Sequence, residues 1–403
     1  MATTLIGGTT IEQALNSLSN MTGDVERIDV DEFRIRLAKL QQEIRDSGAS
    51  AVYLHGGTNL YYFTGLEWHA SERMVGAIVP ADGDVQYISP TFEIDTLKDF
   101  WQIPGTVLTW EEHESAYHLL GQALSELTSG TSGRLLLDEV TPYFIVDGIQ
   151  SANPGIELGS AQPLTQRIRS RKSEAEIALI KRAHEMTLVV LRAAASILHE
   201  GITSSEVINF IDQAHQRVGA DAGSYFCIAL FDVATSFPHG VKDPQTLKHG
   251  DWVLLDTGCH LDGYNSDITR SFCFGEPTDY QRSAWEVEKA AQIAAFDAAA
   301  IGVPCEECDH AARRSLEKSG YGPDYQLPGL AHRTGHGCGL DIHEGPYLVR
   351  GDKTLLEVGM VFSSEPMLIL PGEFGVRLED HFYMTEEGPV WFTQPAASID
   401  DPI

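Results

Sequence analysis

Between His332 and Glu344 the chain sets three histidines (His332, His336, His343) and three glycines within thirteen residues. Glycine lets backbone and ligand approach closely, and imidazole is both the commonest metal ligand and the usual proton carrier near neutral pH. A glycine-rich turn with surface histidines is the bland alternative, and the carboxylates elsewhere in the chain weigh against it. Asp256 and Asp267 stand in apolar, β-like sequence, as do Glu365 in Val361–Pro366 and Glu379 in Gly375–Asp380. Buried acids demand partners. Four carboxylates and His336 make a hard-oxygen donor set with one nitrogen, suited to Mn²⁺, Fe²⁺, Co²⁺ or Zn²⁺ in a two-metal hydrolytic centre.

The elements that position these groups are legible in outline. Trp252–Gly258 and Tyr264–Phe274 read as two strands joined around Asp262-Gly263, a favoured tight turn. A two-residue turn sets Asp256 opposite Thr269 and leaves Asp267 diagonal to Asp256 on the same face. Diagonal positions lie roughly 7–8 Å apart at the backbone, so two short carboxylates can converge on one or two cations. Without a cation they repel, and one takes up a proton. Ser173-Glu174-Ala175-Glu176 reads as a capping box opening a long helix, Thr203–Glu206 opens the next, and further helices fit Asp279–Ala300 and Glu306–Lys318.

The first half carries no catalytic motif. It reads as a helix over Asp31–Ser47, a strand at Ala51–Leu54, a β segment at Leu60–Phe63, and a hairpin of Met74–Val79 and Val85–Ile88. A helix near Glu114–Leu127, a strand at Leu135–Leu137 and a helix near Tyr143–Ser151 follow. His113, Glu114 and His118 do not have HExxH spacing and read as surface helix. Residues 1 to about 23 read as a loose polar leader. A compositional shift puts the domain boundary near 165, giving a first domain over 1–165 and a catalytic domain over 166–403.

Composition narrows the function. With 28 basic against 58 acidic residues the net charge is −30, which disfavours nucleic acid and anionic membranes, since both bind through Lys and Arg. The absence of a basic and apolar leader or a long apolar run predicts a soluble, cytoplasmic protein. Six cysteines, all in the second half, read as reduced thiols. The lone Cys305-Glu306-Glu307-Cys308 reads as structural rather than as a redox or zinc site.

These residues carry a resemblance to the creatinase, prolidase and aminopeptidase P branch of the pita-bread metallopeptidases, closest to a bacterial Xaa-Pro dipeptidase. It is strong over about 165–395 and looser in the first domain. The resemblance implies an α/β (α+β) fold, with a creatinase-like first domain and a pita-bread catalytic domain. It implies two divalent cations per subunit, Mn²⁺ foremost, held by Asp256, Asp267, His336, Glu365 and Glu379. Asp267 and Glu379 would bridge, Asp256 would serve one ion, and His336 and Glu365 the other. His239 and His343 match the family's substrate-contacting histidines, and Glu365 would handle the proton. His332 would shape the pocket, Arg377 would orient acidic ligands, and Arg350 would hold the substrate carboxylate. The implied reaction is hydrolysis of an Xaa-Pro dipeptide; the rivals are an aminopeptidase P acting on longer peptides, a hydrolase of a small amide, and a non-enzymatic binding module. Glu365-Pro366-Met367-Leu368-Ile369 departs from the family's common Glu-Pro-Gly-Ile-Tyr. The resemblance also implies a homodimer in which the loop around Trp68 limits substrate length at the neighbour's site.

Overall fold

The computed structural model describes residues 5–129 and 133–403. The chain divides into two compact units, Ile28–Arg169 and Met1–Arg27 with Ser170–Ile403. The first unit is built on a six-stranded sheet in the order Thr106–Trp110, Gln86–Pro90, Gly76–Pro80, Ala51–His55, Arg134–Leu137, Glu157–Ser160. The pairs of Gly76–Pro80 with Ala51–His55 and with Gln86–Pro90 are antiparallel and the other pairs are parallel. Ala51–His55 is buried along its whole length, as expected of a strand covered on both faces. The helices Ala116–Leu127 and Tyr143–Ala152 close one core through Leu120, Leu124, Ile145 and Ile149.

Two expectations for this half are corrected. Leu60–Phe63 is part of a helix, Thr58–Thr64, closed by Gly65 in the left-handed region. Its aromatic run resembles a strand, and tertiary packing overrides that preference. The residues 1–23 taken as a loose leader contain the helix Ile11–Ser17, opened by a reciprocal capping box of Thr10 and Gln13. That segment groups with the second unit, where Gly7 N–H donates to Ala195 O at 2.9 Å and Met21 N–H to Val218 O at 2.9 Å. The helix Gln162–Arg169 belongs to the first unit, and the second resumes at Ser170.

In the second unit four antiparallel strands form one sheet, in which Ile268–Cys273, Trp252–Leu261 and Ser224–Phe231 lie side by side and the short Tyr264–Asn265 also pairs with Trp252–Leu261. Five form another, in the order Glu344–Leu348, Gly335–Gly337, Val361–Ser364, Asp380–Thr385, Gly388–Trp391. Met367–Leu370 and Phe374–Arg377 pair as a hairpin. The helices Glu174–Ser196 and Ser204–Val218 begin with the expected capping boxes at Ser173/Glu176 and Thr203/Glu206. Asp279–Ala298 and Glu306–Lys318 contribute Ala291, Ala295, Ala312 and Leu316 to a core shared with Leu254, Phe362 and Phe382. Cys305 and Cys308 lie in that core, fully buried and unbridged. Burial raises both thiols, Cys308 to about 12, so they are apolar filling, not nucleophiles.

Candidate metal centre

The hairpin turn sets the first two carboxylates. Asp262 and Gly263 both have positive φ, 52° and 78°, the conformation of a type I′ turn. Leu261 pairs with Tyr264, and the same register continues to Asp256 opposite Thr269. Asp267, just before Ile268–Cys273, therefore lies diagonal to Asp256, as the spacing predicts. The other donors come from the ends and middle of neighbouring strands. His336 is the central residue of Gly335–Gly337, Glu365 follows Val361–Ser364, and Glu379 joins Phe374–Arg377 to Asp380–Thr385. Backbone hydrogen bonds fix the last two: Glu365 N–H donates to Thr334 O at 2.9 Å, and Glu379 N–H to Thr269 O at 3.1 Å.

His336 Nε2 lies 3.1 Å from Glu365 Oε1, 3.8 Å from Asp267 Oδ2 and 3.9 Å from Glu379 Oε1. Its Nδ1 donates to Gly337 O at 3.0 Å, which turns Nε2 toward the acids; burial would lower its pKa, but Glu365 and Glu379 outweigh burial and raise it. His336 Nε2, Asp256 Oδ1 and Asp267 Oδ1 are buried without an aligned hydrogen-bond partner. Arg377 answers part of the charge: it pairs with Asp256 Oδ2, donates from Nε to Thr269 Oγ1 at 3.1 Å, and from Nη1 to Pro238 O at 3.1 Å. Thr269 Oγ1 in turn donates to Glu379 Oε2 at 2.8 Å.

The titration behaviour reports the imbalance. Burial, opposed by Arg377, raises Asp256 to about 6. Burial together with Glu365 raises Glu379 to about 7. Burial and the charge of Glu379 push Asp267 well above the usual carboxylate range. Burial would raise Glu365 as well, but His336, His332 and Arg377 outweigh it and hold Glu365 below its ordinary value. Four crowded acids against one arginine cannot all ionise unaided. Divalent cations would replace the protons and take up the orphaned oxygens and His336 Nε2, so the residues present fit such ions.

One side chain of this group was overlooked. His381 Nε2 stands 3.3 Å from Glu379 Oε1, and Asp267, His336, Glu379 and His381 each place a ligand atom within 4.8 Å of the others. The signal was available: alternate residues of an extended chain share a face, so Glu379 and His381 project together. His184, in Glu174–Ser196, faces Ile180 O through Nδ1 at 2.8 Å, and its Nε2 accepts from Asp267 N–H at 3.4 Å. It thus steadies the backbone of a donor.

The remaining predicted residues divide into two groups. His343 lies at the rim, its ring centroid 4.2 Å from that of His336. His239 is exposed in the turn after Asp232–Ser236, beside the Pro238 carbonyl that Arg377 holds. His332 Nδ1 contacts Arg333 O at 2.6 Å while its Nε2 is buried without a partner; burial lowers its pKa despite the nearby Glu365. Arg350 is turned elsewhere. Its Nη1 pairs with Asp324 Oδ1 at 2.6 Å on an exposed surface, over the Tyr325 ring. Trp68 belongs to the first unit, half-buried in the segment after Thr58–Thr64, with Glu67, His69 and Ala70 exposed around it.

The chain belongs to metallopeptidase family M24, whose model matches residues 178–386; the creatinase/prolidase N-terminal domain matches residues 36–171. The mixed α/β architecture is thus the expected pairing of a creatinase-like first domain with a pita-bread domain. The dipeptidase PepE from Mycobacterium ulcerans superposes with a TM-score of 0.84 at 28% identity, over 92% of this chain and 97% of that one. A prolidase from Thermococcus sibiricus gives 0.81 at 30% identity, over 90% and 97%. The Xaa-Pro dipeptidase from Bacillus anthracis gives 0.78 at 25% identity, over 90% and 98%.

Proposed function

We propose that this chain hydrolyses the Xaa-Pro bond of dipeptides at a centre of two divalent cations. The observation that carries the reading is the convergence of Asp256, Asp267, His336, Glu365 and Glu379 into one buried set whose charge Arg377 answers only in part. Asp256, Asp267, His336, Glu365 and Glu379 would hold these ions. Bound ions in such a set lower the pKa of water and polarise an amide carbonyl.

The chain's own residues do the rest. Glu365 is held ionised beside His336 and accepts the proton of the attacking water. His343, at the rim next to His336, donates to the developing oxyanion, and His239 orients the substrate from the turn tethered through Pro238 to Arg377. His332, with a free buried Nε2, lines the pocket. Arg350 would have to leave Asp324 at the surface to hold the substrate carboxylate, which weighs against that role. We assign Mn²⁺ as the working ion on donor hardness, and a cytoplasmic setting on six unbridged cysteines.

Similarity to a dipeptidase, a prolidase and an Xaa-Pro dipeptidase supports the substrate class. The test is a panel of Xaa-Pro dipeptides, Xaa-Pro tripeptides and small amides assayed with Mn²⁺, Co²⁺ or Zn²⁺. Turnover confined to dipeptides is the expected result; equal or better cleavage of tripeptides moves the assignment to aminopeptidase P, and turnover of amides alone moves it outside peptide chemistry. The proposed assembly is a homodimer in which the loop bearing Trp68 restricts substrate length. Light scattering that gives the 44.2 kDa of one chain refutes the dimer, and unchanged dipeptide preference in Trp68→Ala removes the loop from the role.

A further inference from the structure

We infer that Lys172 and Glu344 form a buried clamp that sets the position of His343, making Lys172 a positioning residue for the reaction. The inference rests on the reading of His343 as the group that faces the reacting carbonyl.

The two residues are 172 positions apart and meet through Lys172 Nζ and Glu344 Oε1, with side chains only 2% and 9% exposed. Lys172 is a fixed anchor. Its N–H donates to Gly359 O at 2.8 Å, Arg171 bridges to Met360, and Ser173 caps the helix Glu174–Ser196. Glu344 is the first residue of Glu344–Leu348, directly after His343. Pairing between that strand and Gly335–Gly337 is irregular here. His336 pairs with Tyr347 but Gly337 with Glu344, so the register shifts between them. Glu344 is held to Gly337 across this irregular ladder, and its side-chain tether to Lys172 adds a second constraint next to His343.

The connecting loop is held in two halves. Asn265 Nδ2 donates to Gly339 O at 2.9 Å and Leu340 O at 3.0 Å, securing the first half. The Lys172 pair secures the second. Gly339 leaves room for it: a Cβ there would stand 2.7 Å from Glu344 Oε1 and 3.1 Å from Lys172 Cε, so any larger residue would meet the clamp. A buried ion pair contributes little net stability, because desolvating both charges cancels most of the attraction. What it does contribute is a defined geometry for its neighbour, and that neighbour is the rim histidine beside His336.

The test is the double variant Lys172→Met/Glu344→Met, in which apolar side chains of similar volume replace the pair without leaving either charge stranded. In its crystal structure the His336–His343 ring separation should open by more than about 1 Å, with Asp267, His336 and Glu379 unmoved; an unmoved His343 overturns the inference. In the full-length Mn²⁺-loaded protein, kcat on an Xaa-Pro dipeptide should fall at least about tenfold with KM and Mn²⁺ affinity unchanged. On a His343→Ala background the same double variant should cause no further fall. Wild-type kcat in the double variant, or an equal fall with and without His343, shows that the pair serves stability alone. If the wild-type chain cleaves no Xaa-Pro dipeptide, the proposed function fails, and the crystallographic comparison still decides the clamp.

Discussion

Glu379 and Asp380 are consecutive and both buried, yet they face opposite electrostatic situations. Asp380 meets Arg270 through both oxygens, 2.6 and 3.2 Å away, and accepts from Gln292 Nε2 at 2.9 Å; the ion pair is fully enclosed. Glu379 faces Asp267, Glu365 and His336, with Arg377 as the arginine serving the group. Burial alone does not mark a functional site, since both acids have it. The distinguishing feature is whether the protein supplies the counter-charge. Where it does, the acid is a structural strut; where it does not, the fold retains an expensive arrangement that a cation completes.

This contrast can be broken from either side. The largest effect expected is on turnover: Asp267→Asn or Glu379→Gln should lower kcat on an Xaa-Pro dipeptide at least about a thousandfold, equivalent to ~4 kcal/mol in the barrier. Circular dichroism should show the fold retained, because removing a charge from a repelling set does not strand a partner. Arg270→Met should do the reverse, destabilising the protein by about 3–4 kcal/mol in denaturant titration because Asp380 is left buried and unpaired. If Asp267→Asn unfolded the chain and Arg270→Met were silent, the two acids would have been assigned the wrong way round.

A third buried acid lies between these extremes. In the first unit Asp138 accepts from Asn59 Nδ2 at 2.8 Å, while its Oδ2 has no partner. Burial, with Glu139 adding, raises it to about 7. A carboxyl raised in the folded state contributes stability that is present below the ordinary value near 4 and lost as pH rises through 7. Asp138→Asn should therefore flatten the pH dependence of melting over that window and raise stability at pH 8 by roughly 2 kcal/mol. An unchanged pH profile would show that Asp138 does not carry this dependence. The smallest effect belongs to Arg350→Ala: with its guanidinium on Asp324 at the surface, KM for a dipeptide should change by less than about twofold. A rise of tenfold or more would restore Arg350 as the carboxylate clamp.

The sequence was most informative where a short-range rule sets the geometry. A two-residue turn at Asp262-Gly263 fixes the pairing of Asp256 with Thr269 through simple counting, and capping boxes mark two helix starts to the residue. His381 follows from strand alternation once Glu379 is recognised, and was passed over because its neighbours already supplied a site. Other features depend on contacts between distant segments. Nothing local reveals that Arg350 turns to Asp324, that Asp380 is answered by Arg270, or that Lys172 meets Glu344. The helix Thr58–Thr64 is hidden because Leu60–Phe63, rich in aromatic residues, suits a strand by intrinsic preference. The helix Ile11–Ser17 leaves little trace in the sequence because a helix of about two turns is stabilised by its packing and its cap rather than by periodicity.

Whether the crowded acids hold cations is decided by calorimetric titration of chelator-stripped protein with Mn²⁺, with dipeptide turnover followed in the same samples. The expected result is binding of up to two ions per chain, loss of that binding in Asp267→Asn, and recovery of turnover in step with occupancy. Full dipeptide turnover by the stripped protein, or no Mn²⁺ binding by the wild-type chain, would contradict it.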